Sequence, residues 1–529
     1  MSDFVEHYDV IIIGGGATSS GIALDASLRG LKCIVIEKND FAQGTSSRST
    51  KLVHGGVRYL EAAVKKLDLA QYALVKEGLK ERYRILNNAS HLARAITLVT
   101  PLYKWYEIPY MYVGLFLYDF ISGKRRLGKS QIVSKKEIMD IFPGVKKAGL
   151  KGGVRYFDGA FNDARMVISL LQTAKQQGCE IRNYNEVINF TYENQKINGV
   201  TVHNHIKNEK YKLTAHHVIN ATGPFSDAIR KLDKEDVSNI LEVSSGIHIV
   251  LDKKFLPNDE GLMIPKTQDG RVLFMLPYLG KCLVGTTDEK AKVEQNPKVE
   301  QKDIEYLLRH VRLYFDIEIT QKDILSSWSG LRPLVVNTNL DAHNTKSIVR
   351  EHYLDISASG LISIVGGKWT TYRKMAQDTV DFIALKNKKL MSCKCTTQDF
   401  KLVGSQKDIS MVKNDLKKVY LNEETEDHLL RIYGDQATLV AQYINKYGFE
   451  KLHPNYSFLQ AEVYYSIHNE FIYSSLDFLV RRINLGLIDA KAALSCVERV
   501  TRILSKEFNW DLETFNQEIQ RSNNYLNSC

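Results

Sequence analysis

The sequence predicts an α/β protein: a Rossmann-like dinucleotide-binding domain, a mixed-sheet domain beside it, and an all-helical domain at the C-terminal end. Three observations carry that prediction. A strand of the buried type runs into a glycine turn at Gly14, and a helix follows it. Apolar runs of strand length then alternate with helical stretches as far as residue 386. Beyond a lysine-rich stretch the pattern is helical almost throughout.

Tyr8-Asp-Val-Ile-Ile-Ile-Gly14 is a continuous apolar run, the pattern of a strand covered on both faces. A helix is expected from Ala17 to Arg29, and a second short run, Cys33-Ile-Val-Ile36, ends at Glu37. Together they make the strand–turn–helix–strand unit of about 30 residues that a dinucleotide fold requires. Helical spacing returns from about Tyr59 to Asn88, through Leu67, Ala70, Leu74 and Leu79. Residues 95–150 read as irregular and rich in aromatic and basic residues. Asp163 to Gln177 reads as a helix stopped at Gly178, and the alternating segments from Glu180 to Asn220 read as a meander. Residues 240–340 read as a mixed sheet with turns at Asp269-Gly270 and Leu279-Gly280. Leu361-Ile-Ser-Ile-Val365 is a strand that feeds Gly366-Gly367 and a helix from Thr371 to Lys386. After a linker at Lys386 to Lys394, Val463, Ile467 and Phe471 share a helical face, and Ser474-Ser-Leu-Asp477 resembles a capping box.

A chain of 529 residues is too long for one compact core. The expected partition is 1–75, 150–235 and 345–388 for a discontinuous cofactor-binding domain. Residues 76–149 and 236–344 form the substrate-binding domain, and 389–529 the helical one.

With 44% hydrophobic and 25% charged residues the composition is that of a soluble globular protein. Lysine and arginine outnumber acids by 71 to 61, a net charge of +10 that suits an anionic substrate or an anionic membrane surface. No recognisable nucleic-acid reader motif accompanies that charge, so no nucleic-acid partner is expected. Seven scattered cysteines form neither a disulfide framework nor a zinc site, so no metal is expected and a reducing cytoplasm fits. Met1 to Tyr8 is polar and acidic and does not read as a signal peptide. The longest apolar run, Ile108 to Ile121, is interrupted by Pro109, Gly114 and Asp119 and falls short of the roughly 20 residues that cross a bilayer.

Gly14-Gly-Gly16-Ala-Thr-Ser19 stands where a phosphate-binding turn belongs. Gly14 permits the tight turn, and Gly16 lets the backbone approach a pyrophosphate at a helix N-terminus. Ser19 replaces the third glycine of the usual fingerprint, which implies a slightly looser helix–strand contact. Glu37, about 20 residues on, is placed to accept hydrogen bonds from ribose hydroxyls and to disfavour a 2′-phosphate. The motif alone does not separate FAD from NAD.

Downstream stands Gly44-Thr-Ser-Ser-Arg-Ser-Thr-Lys-Leu-Val-His-Gly-Gly-Val-Arg-Tyr-Leu60. This stretch resembles the FAD-dependent glycerol-3-phosphate dehydrogenases of the aerobic, respiratory type. The resemblance continues at Asp163-Ala-Arg165, Asn220-Ala-Thr-Gly-Pro224, Val284-Gly-Thr-Thr-Asp288 and Ser329-Gly-Leu-Arg-Pro333. It is strongest at Val365-Gly-Gly-Lys-Trp-Thr-Thr-Tyr-Arg373, and it reaches Leu479-Val-Arg-Arg482 and Gly486 in the helical end. It implies FAD as cofactor. Thr45, Ser46 and Ser47 match the segment lying along the cofactor, and Ala221, Thr222 and Gly223 a strand end near the adenosine half. Gly366, Gly367, Lys368, Thr370 and Thr371 match the motif that closes on the flavin. Donors and positive charge near the ring favour its reduction.

A substrate phosphate needs arginines in fork geometry. The resemblance gives that role to Arg332 and Arg350, with Arg58, Tyr59 and Lys368 around the same pocket. Hydride leaves an alcohol carbon only as the hydroxyl loses its proton, and His54 and His248 are the candidates to receive it, beside Arg332 and Lys368. Around His248 the match weakens, since Ser245 replaces the family's usual lysine and Ile247 its usual serine.

The expected activity is therefore oxidation of sn-glycerol 3-phosphate to dihydroxyacetone phosphate, with hydride passing to flavin N5 and electrons to a membrane quinone. The alternatives are a glycerol-3-phosphate oxidase that gives hydrogen peroxide from oxygen and a flavin-dependent amine or amino-acid oxidase. Two or more arginines for a phosphate count against the latter. Lys124-Arg-Arg126 and Tyr103-Lys-Trp-Tyr106 suggest peripheral contact with an anionic membrane, at the inner face of the cell membrane. The sequence leaves open whether the chain forms a homodimer.

Overall fold

The computed structural model describes residues 5–57, 60, 68–267, 270–336, 352–386, 393–419 and 421–529. Arg58, Tyr59 and Arg350 lie outside the described residues, as do Asp269 of the expected turn and most of the expected linker.

Among the described residues the first sheet has eight strands, with Glu6–Ile13 at its centre. Val10, Ile11 and Ile12 are fully buried, as the unbroken apolar run requires of a strand covered on both faces: Val10 and Ile12 pack towards the helices, and Ile11 towards Val187, Phe190, Val200 and Val202 of the antiparallel strands. Parallel pairing sets Ile13 opposite Ile36 on one side and Asn220 on the other, and Asn220 opposite Ser363. The carboxyl ends of these strands therefore share one edge of the sheet, where open α/β sheets bind ligands. The helix Ala17–Leu28 packs against Asp163–Gln176 and Tyr372–Lys386.

The second sheet, of ten strands, is mixed and mostly antiparallel. Its long pair, Leu241–Asp252 against Ile324–Val335, carries His248 and Arg332. Beyond residue 400 the chain is helical, through Ile409–Leu416, Glu423–Tyr433, Ala437–Tyr447, Gln460–Asn469, Ala490–Phe508 and Leu512–Asn527. A π-helical turn, Asp477–Arg482, begins after Leu476, which offers no side-chain cap; Ser474 and Asp477 instead hold each other at its start, Asp477 N donating to Ser474 Oγ and Ser474 N to Asp477 Oδ2.

Two expectations need correction. Residues 95–150 are not irregular: they form a strand, Ala93–Leu102, a helix, Glu107–Ser122, a short strand, Gln131–Val133, and a short helix, Lys135–Ile141. The longer helix hides from a periodicity argument because it is apolar on every side, with Leu115 and Tyr118 buried and Tyr110, Val113, Phe116 and Phe120 exposed. Pro109 falls in its first turn, where a missing N–H costs nothing. The second correction concerns a boundary. Leu52–Val53 and Gly152–Phe161 pair with each other in the second sheet, so stretches assigned to the cofactor domain contribute strands to its neighbour.

Candidate active site

A cavity of about 710 Å³ runs along the shared strand edge into the second sheet, within the roughly 300–1,000 Å³ usual for ligand sites. Its first wall is the glycine turn. Gly14 has φ +112° and its N–H bonds Ile36 O at 2.9 Å; a Cβ there would stand 2.7 Å from Ala221 O. Only glycine meets both conditions. Gly16 caps the helix, and Ser46 Oγ accepts from Ala17 N at 3.0 Å, so the helix start lies against the cavity with its backbone donors near it.

Ser19 does not loosen the turn. It is fully buried and donates its hydroxyl to Gly16 O at 2.8 Å. Close helix packing is supplied instead by Gly21, whose absent Cβ would meet Tyr372 at 2.9 Å. Glu37 lies on the cavity wall; burial raises its carboxyl above the usual range, opposed by the N–H groups of Asn39 and Gly15. Beyond it, Val187, Ile188, Ala228, Ile229 and Leu232 make an apolar slot suited to a flat base.

Thr45, Ser46, His54, Ala221, Thr222, Gly223, Gly366, Gly367, Lys368 and Thr370 all line the same cavity. The closing motif is tied to the first segment: Trp369 Nε1 donates to Ser46 O at 3.0 Å, and His54 N to Thr370 Oγ1 at 3.3 Å. Ser47 and Thr371 do not line it. Ser47 is buried with its carbonyl taken by Lys51 Nζ at 2.6 Å, and Thr371 turns its hydroxyl back to Lys368 O at 3.1 Å.

At the far end Arg332 is held as a fork: Nη2 donates to Thr286 Oγ1 at 3.0 Å and Thr287 O at 3.1 Å, and Nη1 to Asp288 Oδ1 at 3.3 Å. Gly246, on the paired strand, makes its bed, since a Cβ there would stand 2.1 Å from Nη2. His248 is buried and stacked on Trp328, and its Nε2 lies 2.9 Å from Thr50 Oγ1. Burial first, then the charges of Arg332 and Lys51, hold its imidazole well below the usual histidine range, so it is neutral at pH 7. Gly285 leaves the space the ring needs. Val284-Gly-Thr-Thr-Asp288 is thus a support for both candidates, with Gly285 under His248 and Thr286, Thr287 and Asp288 under Arg332. Sequence reasoning matched that motif without seeing its purpose, and it missed Thr50 and Gly246 as cavity residues. Contacts between residues distant in sequence, Arg332 beside Gly246 and His248 beside Thr50, are what reveal them.

A flavin dinucleotide fits these residues. The glycine turn offers a pyrophosphate a place that side chains would fill, Glu37 suits a ribose, and the polar end can face a ring.

Comparison with known proteins agrees. Residues 9–373 match the family of FAD dependent oxidoreductases, and 395–515 the C-terminal domain of alpha-glycerophosphate oxidase. The chain is 40% identical to a probable mitochondrial glycerol-3-phosphate dehydrogenase of Dictyostelium discoideum, over 98% of this chain and 84% of that one. It is likewise 40% identical to the mitochondrial glycerol-3-phosphate dehydrogenase of Bos taurus, over 98% and 73%. The crystal structure of the glycerol-3-phosphate dehydrogenase from Bacillus halodurans complexed with FAD superposes with a TM-score of 0.80 at 29% identity, covering 99% of this chain and 95% of that one. A glycine turn with room for a pyrophosphate, a cavity with a cationic end, and relatives alike along the whole chain lead to one assignment: this protein belongs to the FAD-dependent glycerol-3-phosphate dehydrogenases.

Proposed function

We propose that the chain oxidises sn-glycerol 3-phosphate to dihydroxyacetone phosphate and passes the electrons to a membrane quinone. The observation that carries the chemistry is the pairing of Arg332, fixed by three acceptors, with a neutral His248 in the same end of one cavity. FAD, when bound, supplies the two-electron acceptor. Arg332 and Lys368 bind the phosphate and orient the carbinol carbon; Arg58, Tyr59 and Arg350 are assigned to the same substrate. His248 takes the hydroxyl proton at Nε2, the nitrogen that faces Thr50, and His54 completes the polar wall. An amine or amino-acid oxidase needs one cation for its carboxylate, whereas this reading assigns Arg332, Lys368 and Arg350 to the substrate anion.

A quinone acceptor is supported by the surface beside the site. The helix Glu107–Ser122 and the residues just before it expose Trp105 (73%) and Phe120 (76%), with Tyr110, Val113 and Phe116, next to exposed Lys124, Arg125 and Arg126. Among the described residues no helix is long and apolar enough to cross a membrane, so this surface suits a peripheral seat on anionic lipid. Tyr118 of the same helix accepts from Gly55 N at 2.7 Å, one residue from His54. The lipid-facing surface and the cavity are therefore adjacent.

The test is an anaerobic absorbance scan of purified protein with glycerol 3-phosphate, followed by a quinone analogue or air. Bleaching of the flavin band with rapid recovery by the quinone is the expected result. Rapid recovery by air with near-stoichiometric peroxide would make the chain an oxidase, and no bleaching would remove the substrate assignment.

A further inference from the structure

None of the residues lining the cavity comes from the described part of the helical C-terminal unit, yet that unit holds the outer side of the cofactor wall. Asp40 lines the cavity and its carboxylate is buried. It accepts a two-pronged contact from Arg482, Nη2 to Oδ1 and Nη1 to Oδ2, both at 2.8 Å, and a further one from Arg481 Nε. Both arginines sit in the π-helical turn, a geometry frequent at functional sites. Arg481 Nη2 also bonds Asp477 Oδ1 at 2.7 Å, and Asp477 accepts from Tyr184 OH at 2.7 Å. Tyr184 N in turn donates to Asn39 O at 3.1 Å.

A second line of contact reaches the glycine turn itself. Phe471, just after the helix Gln460–Asn469, stacks edge-on against Phe41 with ring centroids 5.5 Å apart. Phe41 lies directly under the turn, where a Cβ on Gly15 would stand 2.5 Å from its Cδ1. Ala42 N bonds Gly15 O at 2.9 Å. Residues 39–42 are therefore clamped between the turn and residues 471–482.

We propose that Arg481 and Arg482 are positioning residues for the cofactor: through Asp40 and its neighbours they set how tightly FAD is held, and the helical C-terminal unit acts as its retaining wall. This rests on FAD occupying the cavity. Two carboxylates and two guanidinium groups balance in charge inside a buried space, so losing one arginine leaves a net negative charge buried beside the cofactor wall. Substituting lysine keeps the charge and removes the fork.

The experiment compares wild type, Arg482→Lys and Phe471→Leu. The FAD dissociation constant comes from fluorescence titration of the apoprotein, and kcat per bound flavin and KM for glycerol 3-phosphate are measured at saturating FAD. The expected result is an FAD dissociation constant raised on the order of ten- to a hundredfold in Arg482→Lys and several-fold in Phe471→Leu. In both, kcat per bound flavin and KM stay within about twofold. Melting temperatures of the two apoproteins separate positioning from plain structure, and Phe471→Leu serves if Arg482→Lys fails to fold. Unchanged FAD affinity in the variants that fold, or an equal fall in melting temperature with no change in affinity, would overturn the proposal, as would failure of both variants to fold. Failure of the wild-type apoprotein to bind FAD would instead remove the cofactor assignment on which the proposal rests.

Discussion

His248 and Trp328 stand opposite each other across an antiparallel strand pair, their rings stacked at 18° with centroids 5.4 Å apart. The indole shields one face of the imidazole from water, and its Nδ1 has no hydrogen-bond partner among the described residues. Burial first, then the charges of Arg332 and Lys51, oppose an imidazolium there.

It follows that activity should hold on the acid side. With its pKa displaced below the usual value of about 6.5, His248 stays a competent base as the pH falls through that value. We expect kcat at saturating substrate to be flat from about pH 8 to 6.5 and to decline only below, measured by stopped-flow flavin bleaching. A midpoint at or above 6.5 would contradict the neutral, buried ring. His248→Asn should lower kcat about 10²- to 10⁴-fold and abolish that acid limb.

Stability should fall over the same range. Unfolded histidine binds a proton below about 6.5, whereas folded His248 resists one, and burial pushes folded His91 down to about 3. The folded state therefore binds fewer protons, and its stability is full above about pH 6.5 and lost as the pH drops toward the folded values. For His91 that window runs from about 6.5 to about 3. Denaturant melts at pH 7.5 and 5.5 should show a lower midpoint at the acid value, with the difference reduced in His91→Asn.

Arg332→Lys keeps a positive charge and loses the fork. A charge-assisted hydrogen bond contributes about 1.5–3 kcal/mol, so KM for glycerol 3-phosphate should rise roughly 10- to 150-fold. Gly246→Ala should act on the same constant without touching substrate, because its methyl would displace the guanidinium. Unchanged steady-state constants in Gly246→Ala would mean that the guanidinium does not bind substrate from this position.

Phe116→Ser with Phe120→Ser should weaken co-sedimentation with anionic vesicles, and rising salt should weaken it further if Lys124, Arg125 and Arg126 take part. Binding to neutral vesicles as strong as to anionic ones would leave those basic residues without a part in attachment.

The first sheet was legible because its determinants are local: an apolar run, a glycine turn and an acid at a fixed distance. Elements whose apolar residues surround the axis, such as Glu107–Ser122, carry no period to read. Arg332 and Lys368, named by motif, and His248, named by its chemistry, line one cavity, but the matches at Ser47 and Thr371 fell on residues that turn away from it. Gly246, Gly285 and Thr50 escaped notice because their importance lies in residues distant in sequence: Arg332 beside Gly246, and His248 beside Gly285 and Thr50. For Gly285 that is fixed by strand register across dozens of residues, which sets it opposite His248.

The dispersal of the cavity along the chain has a further consequence for biosynthesis. Gly14 leaves the ribosome early, but Ala221, Arg332 and Lys368 follow much later, and the arginines that brace Asp40 come later still. At about 5–20 residues per second, N-terminal segments must wait many seconds for their partners. Cofactor capture is accordingly a late event in this protein's life, because the cavity is incomplete until Lys368 and its neighbours have emerged.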